Sequence, residues 1–483
     1  MATRLPSTTP LPAVGWELLR TGAWGPATVG AGPRTALIRS DAAARYGAET
    51  VDCAPVGSPR PASFLSIGPV NVQPPAAAVT RGPGRLGLVL TGGGARSAYQ
   101  VGVLSALARL LPRDAPAPFR VVTGMSAGAI VAAAVACHAA RFREGVVALE
   151  RVWRNFHVDQ VFRTDAASML KAGGRWGLAL ATAGRLVRPP LSMLDSAPLG
   201  RLLERHYDFR KMREAMALGH LDSLAIAAAN YRSTRSVAFF ETADGEHPAP
   251  APWPRGLAVE LGVRHLMASA AVPFLFPAVE VDAEYYGDGA MRQIAPLSSA
   301  IRLGADRLFV VGVRDSAKAG PPHAGVVPRP PGFGEIAGFM LDTLFIDALD
   351  AGLAQLERVN RLIARTGVAE PDGLRHIETC VMLPSVELSA IAQRHARAMP
   401  RTVRALLRVM GAGNGAGGEL ASYLLFESRY TRELIALGAE DAMRRRDELV
   451  AFCASRSAAA GAPPDSHPAR ATSGRDAAVA VAG

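Results

Sequence analysis

Cysteine is scarce in this chain. The four present, Cys53, Cys137, Cys380 and Cys453, are widely separated and form no C-x-x-C pair, so spacing suggests neither a disulfide framework nor a zinc site. Aromatic residues are also few, at 6%, and no zinc-finger, RNA-recognition or basic-zipper pattern accompanies the arginines. The net charge of +11 and pI near 10 therefore do not read as nucleic-acid binding. They leave two readings, an anionic lipid partner or simply an arginine-rich genome. No apolar run reaches the ~18 residues of a spanning helix. The start, MATRLPSTTPLPAVGWELLR, lacks the apolar core of a secretory signal. The expectation from these absences is a cytoplasmic, reducing location with peripheral membrane contact at most.

Apolar residues, by contrast, make up 49% of the 483 positions, which supplies a substantial core. They are unevenly placed. Residues 1–82 are rich in Ala, Pro, Gly, Ser and Thr with little periodicity and read as an irregular extension, and 459–483 read as a disordered tail. Between them the apolar run RLGLVLT (85–91) predicts a buried strand, SAYQVGVLSALARLL a helix, FRVVT a strand and SAGAIVAAAVACHAA a helix. That alternation predicts an α/β fold with a mainly parallel sheet and helices on its faces. Further strands are expected at 222–231, 236–242, 306–313 and 376–383. The chain reads as mainly helical from Trp153 to His220 and again after Pro384, giving a domain at 83–384 and a C-terminal helical region at 385–458.

Three loops carry candidate chemistry. In GMSAG, Gly124 and Gly128 bracket Ser126 between a predicted strand and helix, the pattern of a nucleophile elbow, in which crowding demands glycine and the serine hydroxyl is lifted clear of the sheet. The Ala127 amide and the dipole of the following helix then face the site. Gly92, Gly93 and Gly94 lie at the preceding strand-to-helix junction, where successive amides make an anion-binding concavity. Ser97 stands where a dinucleotide fingerprint needs its third glycine, and no G-K-[ST] follows, so a tetrahedral oxyanion fits this loop better than a phosphate. Asp288, between Gly287 and Gly289, is a candidate base or an ordinary D-G turn. The downstream histidines His323, His376 and His395 have no distinctive setting.

Taken together, GGGARSAYQVG, GMSAG, ASAAVPFLFPAVEV and DGAMRQIAP, in that order over roughly 84–315, resemble the patatin-like phospholipases, serine hydrolases that use a Ser–Asp dyad. The resemblance implies a three-layer α/β/α fold and acyl-ester hydrolysis without metal or cofactor. It assigns Ser126 as nucleophile, Asp288 as dyad acid, Gly92, Gly93 and Gly94 as the oxyanion loop, and Arg96 as the basic residue of that loop, to which the elbow reading adds the Ala127 amide as an oxyanion-hole donor. Ser97 replaces a glycine usual in that family. A free Asp, near 3.9, is a weak base for an alcohol, so the dyad needs burial or strong oxyanion stabilisation.

The favoured activity is lipid acyl hydrolysis. An acyltransferase using the same acyl-enzyme and a non-catalytic lipid-binding scaffold are the alternatives. Arg163–Arg213 carries ten Lys or Arg against four acids, where a lid or substrate wall could be inserted. In PRTVRALLRVM, Val403, Leu406, Leu407 and Met410 form an apolar stripe flanked by Arg401, Arg404 and Arg408. Such a helix either lies on an anionic membrane or, the preferred reading, packs on the core with its charged face solvated.

Overall fold

The apolar run Leu86–Leu90 forms β1, the strand around which the sheet is built. The computed structural model describes residues 84–454 apart from 165–173, 176–177, 179–180, 183–184, 187–191, 246–252, 254, 293–295, 315–332, 344–347, 367–373 and 410–417. Both expected terminal extensions, His323 and Met410 lie outside the described residues. The other strands are β2 (Val121–Met125), β3 (Ser223–Asn230), β4 (Arg235–Thr242), β5 (Gly256–Ala258), β6 (Val279–Val281), β7 (Glu284–Asp288), β8 (Arg307–Val311) and β9 (Glu378–Met382). They form one sheet in the order β5-β4-β3-β2-β1-β8-β9, with the β6–β7 hairpin joined to β3.

Strands β3, β2, β1, β8 and β9 are parallel, and every residue of β1, β2 and β8 is buried. A parallel sheet needs crossover connections, and these cover both its faces, which explains the near-continuous apolar strands. Leu86, Leu88 and Leu90 point into the core shared with α1 (Ala98–Leu110), α2 (Ala127–Cys137) and α3 (Phe142–Arg154). Val89, between them, joins a second core formed with Leu297, Ala300, Leu349 and Leu356 on the opposite face. The result is a three-layer α/β/α architecture. α2 is apolar all round and buried at every position, as expected of a helix enclosed by the fold.

The helix Ser428–Arg444 packs along α1, and Leu388, Ile391, Leu434 and Ile435 share the core of the first face. The C-terminal region is helical as expected. Val403 and Leu407 of the helix Arg401–Val409 are buried, while Arg401 and Arg408 are exposed, so the described part of its apolar stripe faces inward. Within 163–213, Arg163 pairs with Asp195, Arg210 with Asp208, and Arg213 with Glu241 and Glu260. Among the described residues no helix is long and apolar enough to cross a membrane.

Two features differ from the sequence expectation. β4 runs antiparallel to β3, and β5, β6 and β7 are additional short strands. EYYGD is only five residues long and ends in a G-D-G sequence with the composition of a turn, so its strand character depends on pairing with β3 and β6.

Candidate active site

β3 acts as a template that brings two chain ends together. β2 runs beside it and stops with Met125 opposite Ala227. β7 comes from the other direction and stops with Asp288 opposite Ala228, the next residue along. Ser126, which follows Met125, therefore meets Asp288 head on, and its Oγ donates to Asp288 Oδ2 at 2.6 Å. Local sequence could supply a strand-to-helix serine and a carboxylate at a strand end. Only the shared register on β3 joins residues 162 positions apart.

Ser126 has φ 53° and ψ −133°, a conformation costly for any residue with a Cβ. Two glycines make the turn sterically feasible. A Cβ on Gly124 would lie 2.6 Å from the Gly128 carbonyl oxygen, and one on Gly128 would lie 2.4 Å from the Thr91 carbonyl oxygen. The first turn of α2 thus rests directly on the end of β1, where the glycine loop begins. Ser269 holds the elbow from below. Its hydroxyl accepts from the Ser126 amide at 2.9 Å and donates to the Ala227 carbonyl at 2.6 Å. The side chain is wholly buried. Gln100 similarly secures the loop base, donating to the carbonyls of Thr91 and Val311. Neither residue was singled out by sequence reasoning, although Ser269 lies within ASAAVPFLFPAVEV and Gln100 within GGGARSAYQVG.

Asp288 is 1% exposed. Burial raises its carboxyl from 3.8 to about 7, while hydrogen bonds from Ser126 and from the Ala290 amide at 2.9 Å hold it from going higher. Such a group changes charge near neutrality. No histidine contacts this pair among the described residues. His376 is exposed ahead of β9, at the amino end of the parallel strands, and His395 bonds Glu433 among the C-terminal helices. His265 is buried, and its Nδ1 accepts from the Gly262 amide.

Gly94, Ser126 and Ala127 border one cavity. Gly94 begins a 3-10 turn and Ala127 begins α2, so their amides have no acceptor within their own helices. Arg96 turns away from this space. Its guanidinium, fully buried, pairs with Asp342 and Glu419, donates to Ser422 and Tyr423, and lies 4.1 Å from the Tyr423 ring centroid. It fastens the glycine loop to the helix Gly418–Leu424, whose Tyr423 and Leu424, with Phe426, line the cavity. The cavity is lined mostly by apolar side chains, as ligand pockets usually are. Leu149, Trp153, Leu199, Leu203, Leu275 and Phe276 are among its walls.

No curated protein is significantly similar to this sequence. Among solved structures the chain is similar to VipD from Legionella pneumophila, at 14% identity with 73% of this chain and 67% of that one covered and a TM-score of 0.30. It is also similar to the type III effector protein ExoU, at 15% identity with 77% and 80% covered and a TM-score of 0.22. The sequence model of the family described as patatin-like phospholipase matches residues 88–301, a span that contains both Ser126 and Asp288. Over residues 88–301 this chain is thus similar to the patatin-like phospholipase family.

Proposed function

We propose that the protein is a lipid acyl hydrolase that cleaves carboxylic esters through an acyl-enzyme on Ser126. The 2.6 Å hydrogen bond between Ser126 Oγ and a buried carboxylate, at the wall of an apolar cavity, carries this reading. Ser126 Oγ attacks the ester carbonyl carbon as its proton passes to Asp288 Oδ2. The amides of the Gly92, Gly93 and Gly94 loop and of Ala127 hold the tetrahedral oxyanion, an interaction worth roughly 3–4 kcal/mol per donor in comparable sites. Collapse breaks the bond to the alcohol, which leaves with the proton from Asp288. Water then attacks the acyl-enzyme, gives its proton to Asp288, and releases the acid while Ser126 regains its hydrogen.

A carboxyl near 7 suits both halves of this cycle, since it accepts and returns a proton at neutral pH with little driving force lost in either direction. In this reading 83–384 is the hydrolase domain, and the helices of 385–458 complete it by supplying Tyr423, Leu424 and Phe426 to the cavity. The substrate is a lipid ester. A fluorophosphonate probe should label the protein once, on Ser126, and Ser126→Ala should abolish both labelling and hydrolysis of a medium-chain ester with the circular dichroism spectrum unchanged. Undiminished hydrolysis by that variant would refute the assignment.

A further inference from the structure

We propose that the groove along α2 measures the acyl chain of the substrate and accepts unbranched chains of up to about 14 carbons, an inference that rests on the hydrolase reading of Ser126. The cavity is lined by Ala127, Ile130 and Ala134 of α2 and by His138 at the C-cap of that helix, one stripe at helical spacing that starts beside the nucleophile and runs the length of the helix. α3 begins where α2 ends, with Gly145 pressed so close that a Cβ there would lie 2.2 Å from His138 Cβ. It lines the same groove with Leu149, Trp153 and Phe156. Two stripes on adjacent helices form the facing walls of one groove.

The groove is lined mostly by apolar side chains. Two tyrosines border it, and both hydroxyls are committed elsewhere. Tyr207 donates to the Ile130 carbonyl at 3.0 Å, and Tyr423 donates to Asp342 at 2.6 Å. His138, at the end of α2, and the exposed His206 also line the cavity. An occupant is therefore apolar along its length, which fits a hydrocarbon whose carbonyl lies at Ser126.

Helix geometry sets the scale. His138 is twelve residues from Ser126, or about 18 Å at 1.5 Å per residue. An extended hydrocarbon with bonds of ~1.5 Å at tetrahedral angles advances about 1.25 Å per carbon, so about 14 carbons fit. Ala134 lies about 12 Å from Ser126, near the ninth or tenth carbon, and Ile130 about 6 Å away, near the fifth. The small side chain of Ala134 keeps the channel open at its middle.

p-Nitrophenyl esters from C4 to C18, assayed with the wild-type protein, Ala134→Phe and Ile130→Phe, test this. Each profile is normalised to that protein's own C4 rate. Wild-type kcat/KM should rise by about twofold or more per carbon and level near C14, because each added methylene leaves water until the channel is full. The break should move to about C9 in Ala134→Phe and about C5 in Ile130→Phe. Ala134→Leu, a smaller intrusion, should fall between wild type and Ala134→Phe and serves if the phenylalanine prevents folding. Binding of C4 to C18 fatty acids to the same proteins, by calorimetry, should show the same breaks without turnover. Shifting breaks in binding with no hydrolysis of any ester would overturn the hydrolase reading and keep the channel. Breaks at one chain length in all variants, or a flat profile, would overturn the channel as the measure of chain length.

Discussion

Replacing Asp288 by Asn should make the protein more stable and inactive, and the gain should grow with pH. The wild-type carboxyl, 1% exposed, is raised from 3.8 to about 7 chiefly by burial. A raised carboxyl binds its proton more tightly folded than unfolded, so over this interval the native state holds more protons and stability falls as pH rises. The loss begins near pH 4, where the unfolded chain ionises, and is complete above pH 7, where the native group has ionised too. At about 1.4 kcal/mol per pH unit the full cost is about 4 kcal/mol. Asn carries no charge and fills nearly the same volume. Its carbonyl still accepts from the Ala290 amide, and its NH2 can meet Ser126 Oγ, so the bonds at 2.9 and 2.6 Å retain partners. Urea unfolding of both proteins at pH 4, 6 and 8 reads the difference, and other titrating groups cancel in the comparison. The variant's advantage should be near zero at pH 4 and about 4 kcal/mol at pH 8. Its hydrolysis should fall at least ~100-fold because an amide cannot accept the serine proton. Wild-type kcat/KM should climb through about pH 7 to a plateau. A stability difference independent of pH, or an activity profile with its midpoint near 4, would refute the argument.

Ser269→Ala removes the hydroxyl that bonds both the Ser126 amide and the Ala227 carbonyl, leaving buried groups unpaired. It should cost about 1–3 kcal/mol in urea unfolding and lower kcat on a short ester more than it changes KM, and unchanged kinetics would show that the elbow holds without it. Gly128→Ala drives a methyl against the Thr91 and Leu90 carbonyl oxygens and should destabilise by about 1–3 kcal/mol with loss of activity. Gly174→Ala, where nothing lies within 4 Å of the new Cβ, should be neutral or slightly stabilising in the same urea unfolding.

Much of this molecule is legible in its sequence because the relevant signals are local. Apolar runs such as RLGLVLT and the all-apolar α2 announce buried strands and an enclosed helix, and GMSAG announces the elbow, since a serine in that backbone conformation tolerates only glycine around it. Asp288 is readable as a candidate carboxylate but not as a partner, because its place depends on β7 ending opposite Ala228 while β2 ends opposite Ala227. Arg96 is visible in the glycine loop, yet its guanidinium reaches Asp342 and Glu419 rather than the site. Ser269 gives no local sign that it holds the Ser126 amide, and the C-terminal helices give none that they wall the cavity. Strand character, helix period and turn chemistry are written in neighbouring residues. Strand register, burial of a carboxylate and the shape of a cavity arise from contacts between distant ones, and only the folded chain brings those into being.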